Sequence, residues 1–474
     1  MAVSNNFVRF ASPNEQRTVS REDLGFYHAV VIGATYELGE GLRIDSPRSL
    51  VRPLTRCIEQ HPFLGVVVGD RHTEKAYYER VDEIDLENHM EIVKPSHTTA
   101  TKPREAIQDV LRSNVDRPFS HDIPPWRLII LPLSDATYFI AFAWSHMLGD
   151  GLSGFSLHRS LLAEIRASSE LAASSSTILH PPHRPLGLPL DTSERLPISW
   201  GFLLGPLMAV LVPTFLANWL GLKAQVSTLN EGTWTGTPAS FDAEKSASKV
   251  VLRVIDAPVV EKVLREAKNH DARLTGVLHQ FLARAMSKAF GGPEVTDFVS
   301  QTAVNMRKAI GVPSHEMGEF VTAAYLSHPR RTSSGPLSEE EWAAARHATR
   351  KFAEAAVTLQ DQPIGLLRYL PSMRKWTLSK LGQRRDCSHE VSNVGAFEDE
   401  DPSKAGKARV TQLVFGQPGH VLSAPICFNV SSVKKGSLAY TVTWPTGALG
   451  IDESDEEATI ASVCDSIDAD FAAF

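Results

Sequence analysis

The sequence predicts an α/β protein of two domains, each a mixed sheet flanked by helices, joined by a crossover linker. Three observations predict it. The chain has 474 residues and is 43% apolar, an ordinary globular composition with enough length for two cores. Its texture breaks between residues 167 and 199, where SSSTILHPPHRPLGLPL crowds Ser, Pro and His together. On both sides of that break, extended apolar runs alternate with segments of helical periodicity. The expected division is 1–195, a linker over 196–245, and 246–474.

Taken in order, residues 26–38 are β-branched and apolar enough for a strand. Ser46-Pro47 then offers an N-cap and first helical position. The helix behind it repeats Leu50, Val51, Leu54, Cys57 and Ile58 at helical spacing and stops before His61-Pro62, where FLGVVV begins a strand. Residues 126–145, interrupted by LSDAT, predict a hairpin that runs straight into His146. Beyond the linker, 249–256 predicts a strand, and 258–268 and 275–290 predict helices. Three further strands, 412–415, 426–433 and 438–444, are expected to form a small sheet, with Lys434-Lys435-Gly436 turning between the last two. Ser454 with Glu457 predicts a capping box, and Ile460, Val463, Ile467 and Phe471 mark the apolar face of a final helix.

Charge and cysteine usage exclude several functions. Lys and Arg number 48 against 55 Asp and Glu, a net −7 without any basic stripe, so nucleic acid is not an expected partner. The four cysteines, Cys57, Cys387, Cys427 and Cys464, lack metal-ligand spacing and suggest no disulfide framework. A reducing, cytoplasmic setting is expected. Residues 1–21 lack the apolar core of a secretory signal. Residues 199–222 carry no charge and approach the ~20 residues that cross a bilayer. Pro206 and Pro213 interrupt them, and a span would separate the two halves. A buried or surface-lying helix pair is the expectation, with peripheral contact to an internal membrane as the alternative.

The sharpest feature is Ser145-His146-Met147-Leu148-Gly149-Asp150-Gly151, set between a strand and a helical pattern. Asp150 stands where an N-cap belongs, and Gly151 permits close backbone approach. His146 titrates near neutrality and is placed to take a proton from a nucleophile it touches. On composition alone, the bland reading of such a histidine is a satisfied core residue.

HMLGDG, with FAW before it and LSGFSLHRSLL after it, resembles the HxxxDG signature of the superfamily containing chloramphenicol acetyltransferase, plant acyltransferases and peptide condensation domains. Within that group the chain is most similar to the alcohol acetyltransferase family. The similarity extends through REDLGFYHAVVIGATY, IEQHPFLGVVV, PPWRLIIL, NHDARLTGVLHQFLARAM, VNMRKAIGVP, MGEFVT and EVSNVG, in that order across most of the chain. The resemblance implies two chloramphenicol-acetyltransferase-like domains with a tunnel between them. It implies direct transfer from acyl-coenzyme A, acetyl-coenzyme A by default, to an acceptor, with no covalent enzyme intermediate. O-acylation of a hydrophobic small molecule or secondary metabolite is the expectation, the apolar content of 199–222 pointing to the acceptor's character, and no bound cofactor or metal is expected. His146 matches the catalytic histidine. Asp150 matches a residue that in relatives pairs with an arginine and holds the loop, for which Arg307 is the best matching partner, with Gly151 in support. Ser392 and Asn393, in SNVG, are the positional candidates for stabilising the oxyanion; by composition alone the segment is a turn.

Departures from the superfamily pattern matter as well. Plant members carry DFGWG where this chain has LVFGQPG over 413–419, so the thioester-binding residues stay open. Condensation domains carry a second histidine where this chain has Ser145. Cys387 and His389 lack a third group for a thiol dyad, and His180-Pro-Pro-His183 sits in linker composition, so no metal is expected there. The acidic runs 339–341 and 452–457 are expected to be solvated helix starts. A monomer is expected. The alternatives are an N-acyltransferase or carrier-protein-dependent enzyme, a cyclase or isomerase using the same histidine, and a non-catalytic binding relative.

Overall fold

The structure, a computed structural model, describes residues 6–94, 101–211 and 228–474, with side chains described outside 206–211. The amino-terminal half holds, in chain order, β1 (Phe7–Phe10), α1 (Pro13–Asp23), β2 (Ala29–Leu38), α2 (Val51–Gln60), β3 (Val66–Gly69), β4 (Tyr77–Arg80), β5 (Ile84–Asp85), β6 (Met90–Ile92), α3 (Pro103–Val115), β7 (Trp126–Pro132), β8 (Thr137–Ser145), α4 (Gly151–Ala167) and β9 (Ile178–Leu179). The connecting segment carries α5 (Trp200–Leu211). The carboxy-terminal half holds β10 (Ser248–Ile255), α6 (Ala257–Asn269), α7 (Leu274–Ala289), β11 (Asp297–Asn305), β12 (Val321–Pro329), α8 (Glu339–Ala355), α9 (Met373–Ser379), β13 (His389–Phe397), β14 (Ala408–Gly416), β15 (Cys427–Val433), β16 (Leu438–Pro445) and α10 (Glu453–Ala472).

Two mixed sheets organise these elements into two lobes. The first has the order β14-β2-β8-β7-β6 and the second β10-β16-β15-β13-β11-β12. Both strands of the first hairpin are almost continuously buried, as their apolar runs require when each face of a sheet is covered. On one face, Ile32, Phe142 and Trp144 pack with Leu54 of α2 and Leu161 of α4. On the other, Val31, Ile129 and Ala141 pack with Leu111 of α3 and Val250 of β10, which joins the lobes through one apolar layer. The second core gathers Phe281 of α7, Phe298 of β11, Val442 of β16 and Phe471 of α10.

One strand crosses between the lobes. β14 lies in the carboxy-terminal half of the chain, yet it pairs antiparallel with β2, from Ala408 opposite Leu38 to Gly416 opposite Val31. Residues 412–415 therefore do not join the two strands that follow them, and a boundary at 246 does not separate the lobes along the whole chain. Alternating apolar residues mark a strand but carry no address for its partner.

Local corrections have local causes. α10 takes Asp452 as N-cap without a side-chain hydrogen bond, so Ser454 and Glu457 fall inside the helix instead of boxing its start. Glu341 does close a capping box with Ser338, but it is not solvated. It is 1% exposed and held 2.6 Å from the buried Arg284, which also meets Asp470 of α10 at 2.8 Å. The arginine turns a helix cap into a tie between α7, α8 and α10. All four cysteines are buried and free. Among the described residues no helix is long and apolar enough to cross a membrane. The part of the 199–222 expectation beyond residue 211 lies outside the described residues; on α5, Trp200 is 78% exposed.

Candidate active site at the lobe interface

His146 follows the last residue of β8, in a short 3-10 turn that Asp150 ends by capping α4. The turn is held from below: Tyr78 Oη donates to the Met147 carbonyl at 2.7 Å, and Trp144 Nε1 donates to the Gly149 carbonyl at 2.9 Å. Ser145 donates its hydroxyl to the buried Glu22 carboxylate, which also accepts from Arg71 at 2.8 Å. Gly151 is required sterically, since a Cβ there would stand 2.6 Å from Val394 Cγ1. Gly149 has φ +155°, and a Cβ on it would meet Ser153 Oγ at 2.2 Å.

The second lobe supplies what His146 needs. The segment before β12 packs onto the turn, and its Glu319 carboxylate accepts a hydrogen bond from His146 Nδ1. The other Glu319 oxygen accepts from Asn14 Nδ2 of α1 at 3.0 Å. Glu319 is nearly sealed, with its side chain 2% exposed, while the His146 side chain keeps 23% of its surface open. With the proton on Nδ1 engaged by the carboxylate, Nε2 is left with its lone pair. Burial opposes charge on the imidazole, but the Glu319 carboxylate outweighs it and holds the His146 pKa above the ordinary value.

Asp150 does not touch His146 in any hydrogen bond. Its two oxygens accept from Arg307 Nη1 and Nη2 at 2.8 and 2.9 Å, a bidentate pair with side chains 1% and 2% exposed. The pair also gathers the 316–320 segment. Arg307 donates to the Glu316 carbonyl at 3.0 Å and the Gly318 carbonyl at 3.3 Å, and Asp150 accepts from the Phe320 backbone N–H at 3.0 Å. Glu319 sits between those anchored residues. The clamp thus fixes the carboxylate that fixes the histidine.

The strand β13 separates the two residues of the SNVG segment. Glu390, Ser392 and Val394 share one face, turned toward α4, and His389, Val391 and Asn393 share the other, turned toward α7. Asn393 Nδ2 donates to Thr275 Oγ1 at 3.1 Å, and its Oδ1 accepts from the Gly395 N–H at 2.9 Å. Its amide therefore faces α7 and its own turn, away from the strand face of Glu390. Ser392 lies on the face of Glu390.

A second polar cluster adjoins His146 and was not visible in the sequence. The Tyr27 ring stands edge-on to the His146 ring, with centroids 5.5 Å apart, and its hydroxyl donates to Gln417 Oε1 at 2.7 Å. Gln417 Nε2 donates in turn to Glu390 at 3.0 Å and to Asn429 at 2.7 Å. Burial pushes the Glu390 carboxyl above its usual range, partly offset by Gln417 and Arg21. His420, which burial holds well below the ordinary histidine value, lies 3.3 Å from Glu390. Arg17 and Arg21 stand one turn apart on α1, and neither lies within 4.0 Å of a carboxylate among the described residues; Arg21 lies over the Tyr27 ring at 5.7 Å. Gln417 belongs to the LVFGQPG departure, which left no pattern to read. Glu319 lies within MGEFVT, where an acid between Gly and Phe at a strand start is its only signal in the sequence.

A histidine backed by a buried carboxylate, at the seam of two sheet-and-helix lobes, is an arrangement for proton transfer in the two-lobed acyltransferase fold. The match of the alcohol acetyltransferase family to residues 74–463 places the chain: it belongs to that family. Over 460 residues it is 22% identical to the probable alcohol acetyltransferase crmB of Aspergillus fumigatus, covering 92% of this chain and 94% of that one. The fold is similar to that of the trichothecene 15-O-acetyltransferase of Fusarium sporotrichioides, with a TM-score of 0.64, 13% identity and 98% of each chain covered. It is also similar to the starter condensation domain of rhizomide synthetase, solved in complex with C8-CoA, with a TM-score of 0.61, 14% identity and 98% and 95% of the two chains covered.

Proposed function

We propose that this acetyltransferase moves an acetyl group from acetyl-coenzyme A to the hydroxyl of a hydrophobic small molecule, with His146 Nε2 as general base. The observation that carries this reading is the Glu319 carboxylate on Nδ1, which leaves Nε2 unprotonated and directed by a fixed ring. Nε2 takes the acceptor proton as its oxygen bonds to the thioester carbonyl carbon. The negative charge then rests on the former carbonyl oxygen, for which Ser392, on the strand face that carries Glu390, is the candidate donor. Collapse breaks the carbon–sulfur bond, and the imidazolium returns its proton to the thiolate. The products are ester and free thiol, and no atom of the protein is acylated.

Asp150, Arg307 and Gly151 position rather than react. The positive charge of Arg21 over Tyr27 and of Arg17 near His146 suits an anionic donor such as acyl-coenzyme A, in keeping with the acyl-CoA bound by the rhizomide synthetase domain. Both halves of the site come from one polypeptide, which suits action as a monomer, and four buried free thiols suit the cytoplasm. The deciding assay follows free thiol from acetyl-coenzyme A with a panel of apolar alcohols and amines. Release that depends on an alcohol supports the reading. Release only with amines transfers it to N-acylation, and silence across longer acyl donors overturns it.

The imidazole pKa gives a second prediction. The base must be neutral, so activity falls as pH drops through the folded value, and the acid limb of kcat should lie above the ~6.5 of a free histidine. Glu319→Gln removes the charge that raises it and leaves the burial that lowers it. The limb should then move below the wild-type position, and turnover at neutral pH should fall by about tenfold or more, ~1.4 kcal/mol of transition-state stabilisation. An unmoved limb would show that Glu319 does not govern the titrating group.

A further inference from the structure

The sheet that presents Glu390 toward His146 carries different chemistry on its other face. His389 opens β13 opposite Ser300 of β11, and His328 of β12 stands opposite Phe298. Cross-strand partners share a face, so both histidines lie with Ser300 and Thr302 under α7, whose His279 Nε2 meets Thr302 Oγ1 at 3.0 Å. The His279 and His328 rings stack with centroids 4.7 Å apart, and His389 lies 5.7 and 5.9 Å from them.

These groups are sealed and under-satisfied. His279 and His389 are 0% exposed and His328 is 5% exposed. Neither ring nitrogen of His389, nor Nδ1 of His279, has a hydrogen-bond partner among the described residues. Orphaned buried nitrogens are costly and rare, and their occurrence on two adjoining rings calls for a partner. A nitrogen from each histidine lies within 4.8 Å of those of the other two. Burial holds all three pKa values down, that of His328 to about 4, so each imidazole is neutral with a lone pair free near pH 7.

We propose that His279, His328 and His389 bind one divalent first-row transition ion, Zn²⁺ by default, behind the sheet wall of the acyl-transfer site. Three neutral imidazoles are a zinc-type donor set, and bonds of ~2.1 Å require each ring to draw in by less than about 1 Å. Hydroxyls already engage one nitrogen of two of the rings, Thr302 on His279 Nε2 and Ser300 on His328 Nε2 at 2.9 Å, leaving each Nδ1 to ligate. That is the outer support that metal-binding histidines require. A small cleft of about 50 Å³, lined by Gln280, Ser327, His328 and His347, adjoins one member of the cluster. The ion would cross-link α7, β12 and β13. It stands apart from the reacting atoms, since His389 and Glu390 point to opposite faces of β13, and it is independent of the proposed acyl transfer.

The test uses the full chain, purified without a histidine tag, dialysed against chelator and then returned to Zn²⁺ or Co²⁺. Mass spectrometric metal analysis should find about one ion per chain, and Zn²⁺ should raise the melting temperature. The Co²⁺ form should show the intense visible bands of a four-coordinate site made of three imidazoles and a water. His328→Gln and His389→Gln should each lose the ion and the thermal shift, while His180→Ala in the linker keeps both. Less than about one tenth of an ion per chain with no cobalt bands would overturn the proposal, as would full retention of metal in the glutamine variants. Should those variants not fold, the cobalt spectrum of the wild-type chain decides on its own: nitrogen-type bands support the site, and their absence overturns it.

Discussion

His146→Ala should lower turnover by roughly 10²- to 10⁴-fold, the range expected when a positioned base is removed, with the protein still folded. The ring keeps 23% of its surface open, so its truncation leaves little sealed void. The buried Glu319 carboxylate loses one partner but retains Asn14 at 3.0 Å. His146→Gln provides the control, because an amide can still donate to Glu319 yet cannot accept a proton from an alcohol. Both variants should be equally inactive, the second with the smaller loss in melting temperature. A full-rate His146→Ala enzyme would end the assignment of this residue as the base.

Arg307→Ala is expected to give the largest loss of stability, about 3–5 kcal/mol, seen in urea unfolding and in soluble yield. The reason is the charge left behind. Asp150 is sealed, and without the guanidinium it retains only N–H donors from Leu152 and Phe320, at 3.1 and 3.0 Å. The same substitution removes the guanidinium from the Glu316 carbonyl and leaves the Gly318 carbonyl with the Asp150 N–H at 3.1 Å, which loosens the segment that carries Glu319. Activity per folded molecule should therefore fall as well. Pairing Arg307→Ala with Asp150→Ala should cost less than the sum of the single changes, because the double variant strands no charge. Strict additivity would show that the two residues do not act as a unit.

The hairpin into His146, the apolar helix faces and the alternation of strands with helices could be read from the sequence, because each depends on periodicity within about ten residues. The resemblance to HxxxDG proteins carried His146 and Asp150, and it pointed to Arg307, 157 positions further along the chain. Glu319, Tyr27, Gln417 and Glu390 escaped because their meaning lies in what they meet, and no local pattern records a contact made between lobes. β14 shows the same limit at the scale of a strand. Glu341 was misread for a related reason, since an acid at a helix start looks solvated until a buried arginine comes to meet it.

β14 also bears on how the protein is made. On the ribosome, β2 and β8 emerge early, but the strand that covers the open edge of β2 ends at Gly416. At synthesis rates of ~5–20 residues per second, that edge waits on the order of tens of seconds with its backbone groups unpaired. The nascent amino-terminal half is then a template for any other extended segment, and a truncated chain would keep it so. Folding of the first lobe should accordingly finish only after β14 has emerged, with both lobes closing together, and holding chaperones should matter most during that interval.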